Sequence, residues 1–214
     1  EQGNTTPLFF HSDASQGFGH IDVHVARLGV DMLTLNSGKI YGPKGAGLLW
    51  VKPGVTLKPL IVGGGQERGL RSGTENVPGV IGFAVAAELA VKKQKSEQAR
   101  LTSLRDMLQK KLQLVFPEMV VSGHAKKRLP GHLHLAFPSI DGERIVYLLE
   151  REAIYVATGS ACAANKGTRS HVLEAISLSP DIADGSLRIT LGYHTTEQHI
   201  RRAATAITAA IKSE

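Results

Sequence analysis

The chain has 214 residues, of which 42% are hydrophobic and 21% are charged, and its formal net charge is +6. This composition is typical of a soluble globular protein with an apolar core, and the length suits one large domain or two small ones. No apolar run reaches the length of a membrane span, and the single cysteine excludes an internal disulfide framework, a Cys-based zinc site and an iron–sulfur cluster held by this chain alone. We therefore expect a cytoplasmic protein with no membrane association.

The positive charge does not indicate nucleic-acid binding. The basic residues of Lys92–Lys95 and Lys110–Lys111 fall at helical spacing among apolar residues, as they do on a solvated helix face. No aromatic and basic platform for stacking bases is visible. An anionic cofactor or an acidic protein partner suits the same charge.

The first part of the chain predicts short strands separated by turns. Leu8–Phe10 predicts a short buried strand that continues into the residues before Asp13. Two further apolar runs, Val30–Leu35 and Ala46–Val51, flank a cluster of Gly, Pro, Asn and Ser, which is typical of strand, tight loop and strand. This loop carries Lys39.

Polar residues follow these predicted strands. Asp13 and Gln16 come after the first strand, where α/β sheets usually present functional groups, although a strand-end cap explains them in isolation. Lys39 is expected between two buried strands, where burial lowers an ammonium pKa and leaves a nucleophilic amine. Such an amine suits Schiff-base chemistry with pyridoxal phosphate. The alternative is a solvated loop lysine.

A glycine-dense segment at 63–76 leads into a long helical pattern. Gly-rich loops before a helix present backbone N–H groups to phosphate, and Ser72 and Thr74 add hydroxyl donors, although a flexible surface loop is an equal alternative. The helix is predicted over Val77–Leu114, with Pro78 in its first turn. Its interrupted apolar stripe is formed by Ile81, Ala84, Val85, Leu89, Leu101, Leu104, Met107, Leu108 and Leu112.

The remaining residues predict alternating strands and helices, and hence an α/β fold of two parts with a boundary near the middle of the long helix. Strands are predicted at Met119–Ser122, His132–Phe137, Ala153–Val156 and Ser186–Leu191. Helices are predicted from Asp141 to Leu149, from Ser170 to Ile176 and from Thr195 to Ile211, the last of them capped by Thr195 or Thr196.

Two residues in this second part are candidates for chemistry. Cys162 lies in GSACA, where small neighbours leave the sulfur uncovered and suit a nucleophile on a moving loop; the alternative is a buried structural cysteine. Arg188 alternates with apolar residues on a predicted strand. It is either a surface residue or a guanidinium fork that binds a substrate carboxylate.

The chain resembles the cysteine desulfurases of the NifS/IscS kind, fold-type I pyridoxal-phosphate enzymes of the class-V aminotransferase family. Five strings carry the resemblance in order: DASQ at 13–16, SGKIYGPKGAG at 37–47, GGGQERGLRSGTENVPG at 63–79, GSAC at 159–162 and SLRITLGYHTTE at 186–197. It implies that residues 1–93 are the C-terminal portion of the large cofactor-binding domain, with a mixed or parallel sheet and helices. Residues 94–214 would form a smaller α/β domain that carries the cysteine loop.

The resemblance also implies roles for individual residues. Lys39 matches the Schiff-base lysine, Asp13 the partner of the pyridine nitrogen, and Gln16 the partner of the ring oxygen. Thr74 matches a residue that reaches a phosphate across a dimer interface. Arg188 matches the clamp on the substrate carboxylate.

The implied reaction converts L-cysteine to L-alanine. Cys162 matches the nucleophile, which attacks the substrate sulfur, keeps it as a persulfide and passes it to an acceptor protein. The family implies pyridoxal 5'-phosphate as cofactor, a homodimer, and an acceptor of the scaffold or tRNA-thiolation kind, as in iron–sulfur cluster assembly. No metal site and no direct nucleic-acid contact are expected. Selenocysteine lyase is a near alternative in chemistry.

Two departures from the family pattern qualify this resemblance. Family members carry Ser-x-His before the lysine, whereas this chain has Asn36 and Gly38. An asparagine amide still donates to phosphate, but glycine leaves only its backbone N–H. The family's N-terminal part, with a Gly-Thr phosphate loop and a ring-stacking histidine, has no counterpart here. The alternative expectation is therefore an incomplete or non-catalytic fragment that needs an N-terminal segment for activity.

Overall fold

The computed structural model of the chain describes residues 7–158 and 170–214. It contains two compact units, Glu1–Lys95 and Ser96–Glu214. Each unit has a three-stranded sheet among its described residues, and helices accompany both sheets. The prediction of an α/β fold is confirmed.

The sheet of the first unit is mixed. Strand β1 (His11–Asp13) pairs in parallel with β2 (Met32–Asn36), and β3 (Gly47–Val51) lies antiparallel on the other side of β2. A short helix, α1 (Val25–Leu28), lies between β1 and β2 in the sequence. It ends at Gly29, whose φ of 68° is a left-handed conformation that glycine adopts without a steric penalty.

The prediction of a buried strand at Leu8–Phe10 is wrong. The strand begins only at His11, and the side chains of Leu8, Phe9 and Phe10 are exposed, Leu8 to 95%. Leu48 and Leu49 on β3 are also about half exposed. A hydrophobic strand is buried only where a second layer covers it, and the buried cluster at this sheet is a small one around Ala14, Val30 and Leu33.

The long helix α2 (Val77–Val115) is a single element of 39 residues, and its first half packs through small residues. A Cβ on Gly82 would lie 2.5 Å from Cγ of Pro43, so only glycine fits at this point. One turn later, a Cβ on Gly42 would lie 3.0 Å from the Cβ of Ala86. The chain at 42–43 therefore lies directly against the helix.

The side of α2 that carries Gly82 and Ala86 makes further close contacts at four-residue spacing. A Cβ on Gly19 would lie 3.1 Å from the Cβ of Ala90, so the segment after β1 also approaches the helix closely. Gln94 then donates from Nε2 to the carbonyl oxygen of Ile21 over 2.6 Å. Residues four apart lie one above another on a helix, so 82, 86, 90 and 94 form one seam, which we call the small-residue seam.

The second unit has an antiparallel sheet with β5 in the centre. Its strands are β4 (Val120–Val121), β5 (His132–Ala136) and β6 (Ser186–Thr190). Its further helices are α3 (Gly142–Arg151), α4 (His171–Ala175), α5 (Pro180–Asp184) and α6 (Glu197–Lys212). The apolar core joins α2, β5, β6, α3 and α6 through side chains that include Leu101, Leu108, Leu112, Leu133, Leu135, Ile145, Leu149, Leu187, Ile200 and Ile207.

Side-chain caps begin two of these helices. The Asp141 carboxylate accepts from the backbone N–H groups of Glu143 and Arg144, which begins α3. Thr196 Oγ1 accepts from the N–H of His199, and His199 Nδ1 accepts from the N–H of Thr196, which begins α6. Of the two predicted caps for the last helix, Thr196 is the one used.

Arg100 on α2 fixes the segment that follows β6. Its Nη1 donates to the carbonyl of Thr195 at 2.6 Å, and its Nη2 donates to the carbonyls of Gly192 and Tyr193 at 3.1 Å. Glu97 supplies the counter-charge at 2.8 Å. One half-buried guanidinium thus satisfies three backbone carbonyl groups in the segment after β6.

The predicted strand at Ala153–Val156 is not formed. Ala153 has a positive φ of 53°, which interrupts an extended run, and only Ala157 pairs with β6, through a single bridge to Arg188. Helix α5 was not predicted, although Pro180 at its first position favours a helix start. Within residues 7–158 and 170–214, no helix is long and apolar enough to cross a membrane.

Candidate functional site

The first unit brings four of the candidate residues to one edge of its sheet. Because β1 and β2 are parallel, their carboxyl ends lie together, and Asp13 pairs in register with Thr34. Asp13 ends β1, Asn36 ends β2, and Gln16 and Lys39 lie three residues beyond these strand ends. The carboxyl edge of a parallel pair is where α/β proteins commonly bind ligands.

Asp13 is an exposed carboxylate that stays ionised. Its Oδ1 accepts from the backbone N–H of Ser15 at 3.0 Å. The Ser15 hydroxyl and N–H lower the pKa of Asp13 below its usual value, and the nearby His11 lowers it further. A carboxylate in this state can hold a heterocyclic N–H as its hydrogen-bond partner.

Asn36 is fixed by the turn that follows β2. Its Oδ1 accepts from the N–H of Gly38 at 2.8 Å, at the start of a 3₁₀ helix that spans Ser37–Ile40. Since the oxygen is engaged in this bond, the amide N–H₂ is the part of the side chain that remains to donate to an anion.

Lys39 lies in the same 3₁₀ helix and is exposed. The expectation of an amine buried between two strands is therefore wrong for this chain, because Lys39 lies on the exposed side of the 3₁₀ helix, whose buried residues are Ser37 and Ile40. The turn around Lys39 is nevertheless firmly anchored. Ser37 is fully buried, and a Cβ on Gly42 would lie 2.3 Å from Ser37 Oγ, so the turn closes tightly beneath the lysine.

The glycine-dense loop is closed by side chains of its own. Ser72 is buried, and its Oγ accepts from the N–H of Gly65 at 3.3 Å. Gln66 Oε1 accepts from the N–H of Gly73 at 3.1 Å. The Ser72 hydroxyl accepts this bond and keeps its own proton, so its predicted use as a donor stays a prediction, and Thr74 is exposed on the segment before α2.

Arg188 lies in the second unit, on β6, directly opposite His134 on β5. Its Nε is buried and has no hydrogen-bond partner among the described residues. The alternation on β6 places Leu187 and Ile189 in the core, so Arg188 lies on the opposite face of the sheet. A buried N–H without a partner is rare and indicates a place for an acceptor.

The remaining candidate, Cys162, lies outside the described residues, together with the whole GSACA loop. Asp13, Gln16, Asn36 and Lys39 thus lie at or just after the carboxyl ends of two neighbouring strands, and Arg188 lies on the sheet of the second unit. The described residues contain no group of three His, Cys, Asp or Glu side chains that could hold a metal ion.

Comparison with known proteins gives a consistent result. A family model described as aminotransferase class-V matches residues 4–202. Cysteine desulfurase IscS 1 of Archaeoglobus fulgidus is 46% identical over 192 residues, which are 90% of this chain and 50% of the relative. Cysteine desulfurase IscS of Dictyoglomus turgidum is 42% identical over 193 residues, 90% of this chain and 49% of the relative.

Solved structures agree with the sequence relatives. A NifS-like protein superposes with a TM-score of 0.85 at 35% identity, over 95% of this chain and 52% of that protein. A NifS-like protein from Rickettsia africae gives a TM-score of 0.86 at 30% identity, over 95% of this chain and 54% of that protein. The chain spans about half the length of the curated relatives it matches.

Proposed function

The chain belongs to the aminotransferase class-V family, and we propose that it is part of a pyridoxal-phosphate-dependent cysteine desulfurase. The observation that carries this proposal is the group at the carboxyl edge of the first sheet, where Asp13, Asn36 and Lys39 lie at the ends of two parallel strands. The similarity to IscS and NifS-like proteins supports the choice of reaction. Since the chain spans about half of these relatives, the proposal concerns the complete enzyme.

The residues present fit pyridoxal phosphate, the cofactor of this family. Asp13 offers an ionised carboxylate for the pyridine nitrogen, and Gln16 offers an exposed amide for the ring oxygen. The free amide N–H₂ of Asn36 suits a phosphate oxygen, and Thr74 is proposed to reach a phosphate across a dimer interface. Lys39 would hold the cofactor through its amine.

When bound, this cofactor supplies an electron sink for negative charge that forms on the substrate. Asp13 keeps the ring nitrogen protonated, which the sink requires. The Nζ of Lys39, once free, moves a proton from the α-carbon of L-cysteine. Arg188 binds the substrate carboxylate through its guanidinium.

Cys162 completes the proposed reaction. Its thiolate attacks the sulfur of L-cysteine, a sulfur–sulfur bond forms, and the bond between sulfur and the β-carbon breaks. The β-carbon takes a proton and L-alanine leaves, while the enzyme keeps a persulfide on Cys162. We propose a homodimer in the cytoplasm that passes this sulfur to an acceptor protein, as in iron–sulfur cluster assembly.

The first test is the attachment of the cofactor to Lys39. The complete enzyme with pyridoxal phosphate is expected to have a visible absorbance band from the lysine-bound cofactor, and Lys39→Ala is expected to lose it. Lys44→Ala, which changes another exposed lysine after the same turn, should keep the band. A wild-type enzyme without the band, or a Lys39→Ala enzyme that retains it, would refute the assignment.

A further inference from the structure

One face of the second sheet carries a pair of basic side chains on neighbouring strands. His134 and Arg188 are direct partners in the antiparallel register of β5 and β6. Leu133 and Leu135 on β5 point into the apolar core, so His134 lies on the other face, as Arg188 does. Opposite residues of an antiparallel pair stand side by side on one face, with their Cβ atoms about 5 Å apart.

Both side chains hold a buried nitrogen that has no partner among the described residues. These atoms are Nε2 of His134 and Nε of Arg188. They are not hydrogen-bonded to each other, although they lie on adjacent strands. A buried polar atom without a partner is costly and rare, so two of them on one face indicate a shared ligand.

The ring of His134 is held in place from its other side. Its Nδ1 and Ser122 Oγ are 3.0 Å apart, and the N–H of Ser122 donates to the carbonyl of His134 at 3.1 Å. Arg128 in turn donates from Nη2 to the carbonyl of Ser122 at 3.1 Å. These bonds fix the orientation of the ring.

His134 is also kept neutral. Burial lowers its pKa, and the neighbouring charge of Arg188 lowers it further. A neutral imidazole has one N–H, and its position follows the bond made by the other nitrogen. If the Ser122 hydroxyl donates to Nδ1, the proton lies on Nε2, and both orphaned nitrogens are donors.

We propose that His134 Nε2 and Arg188 Nε together bind one carboxylate, so that His134 is a second residue for the carboxyl group of the amino-acid substrate. This inference rests on the proposed function, which gives Arg188 the substrate carboxylate. It adds a neutral donor beside the cation. Arg188 supplies a positive charge, and His134 supplies a second N–H donor from a different direction. Two donors in different directions favour a carboxylate, which has two oxygens, over an anion with a single acceptor atom.

The test compares ligands that differ only in the carboxylate. In the cofactor-loaded complete enzyme, Kd is measured for L-alanine and for ethylamine from the change in cofactor absorbance, and KM and kcat are measured for L-cysteine. His134→Leu is expected to raise the Kd of L-alanine and the KM of L-cysteine about tenfold or more, with ethylamine binding and kcat nearly unchanged. His134→Gln, which keeps an N–H donor, is expected to recover part of this loss.

His132→Leu is the matched control, because His132 lies two residues away on the same face of β5. It is expected to leave the Kd of L-alanine unchanged. Ser122→Ala, which removes the partner of Nδ1, is expected to weaken L-alanine binding by a smaller factor than His134→Leu. Equal effects of His134→Leu on L-alanine and ethylamine, or no effect on either, would overturn the carboxylate role.

The two hypotheses fail in different ways. A wild-type enzyme that forms no L-alanine from L-cysteine overturns the desulfurase assignment. If that enzyme still binds L-alanine, and His134→Leu weakens this binding but not that of ethylamine, the carboxylate site stands. If L-cysteine is turned over and the His134 variants bind L-alanine as the wild type does, only the role of His134 is overturned.

Discussion

At the scale of single residues, Asp13 illustrates how local bonds prepare a side chain for its partner. It is exposed, yet the hydroxyl and N–H of Ser15 hold its pKa below the usual value. The charged form is therefore favoured in the folded chain, and it is lost only when the pH falls through this lowered pKa. Across about pH 5 to 8 the carboxylate is ionised, which its proposed pairing with a protonated ring nitrogen requires.

We expect Asp13→Asn to lower kcat for L-cysteine by about 10²- to 10³-fold, because an amide cannot keep the ring nitrogen protonated. The absorbance band of the lysine-bound cofactor should remain, since Lys39 is unchanged. Steady-state kinetics and absorbance spectra measure the two effects separately.

Asp22→Asn serves as the control for Asp13. Asp22 is also exposed and has its pKa lowered to about 2 by Arg27, but it lies away from the strand end. Its replacement should leave kcat unchanged. Wild-type kcat in Asp13→Asn would contradict the role of Asp13. A drop in kcat at acid pH that disappears in that variant, with a midpoint at or above the ordinary carboxyl pKa, would contradict the lowered pKa of Asp13.

At the scale of elements, the small-residue seam of α2 holds the turn that carries Lys39. Gly82 and Ala86 lie against Pro43 and Gly42, directly after the 3₁₀ helix of that turn. Protein interiors are close-packed, so added volume at such a contact moves the backbone that lies against it. We therefore expect the position of the Lys39 turn to depend on Gly82 and Ala86, which lie on a different element.

Ala86→Leu is expected to destabilise the 214-residue chain by about 1–3 kcal/mol and to reduce cofactor attachment at Lys39. Val85→Leu is the matched control, because Val85 precedes Ala86 on the same helix and is 52% exposed. Denaturant unfolding measures the first effect, and titration of the complete enzyme with pyridoxal phosphate measures the second. Equal stability and equal cofactor affinity in the two variants would show that the seam does not position the turn.

The buried face of α2 could be predicted from the sequence only in the second half of the helix. The apolar stripe was correct for the second half, where Leu101, Leu104, Leu108 and Leu112 are buried. It was wrong for the first half, where large side chains such as Ile81 are exposed. Apolar periodicity finds a buried face only when large side chains form it, and here the close contact is made by glycine and alanine.

The same contrast holds for the site. Strand ends and turn residues indicated Asp13 and Lys39, because these positions follow from local apolar runs and Gly/Asn clusters, whereas Asn36 was named through the family resemblance. His134 gave no such signal. Its partner Arg188 is distant in sequence, and only the register of β5 against β6 places the two together. Pairing between distant strands is a tertiary property that single-sequence patterns do not contain.

At the scale of the whole molecule, the apolar core is unevenly divided. Among the described residues, the second unit has an extensive apolar cluster shared by its sheet and helices, whereas the cluster of the first unit around Ala14, Val30 and Leu33 is small. The first unit also exposes many large apolar side chains, among them Leu8, Leu60 and Val62 at 76% or more. The whole chain also spans about half the length of its relatives. The exposed apolar surface and this partial span are the reasons to measure activity in the complete enzyme.

The most direct measurement is the mass of the peptide that contains Cys162, the only cysteine of this chain. The cofactor-loaded complete enzyme is incubated with L-cysteine, and its thiols are then blocked. The protein is digested, the peptide masses are measured by mass spectrometry, and the L-alanine formed is quantified. We expect the Cys162 peptide to gain one sulfur atom for each L-alanine formed in the first turnover, and Cys162→Ser to lose both products while keeping the cofactor band. Formation of L-alanine with an unmodified Cys162, or at the wild-type rate in Cys162→Ser, would contradict the proposed desulfurase mechanism.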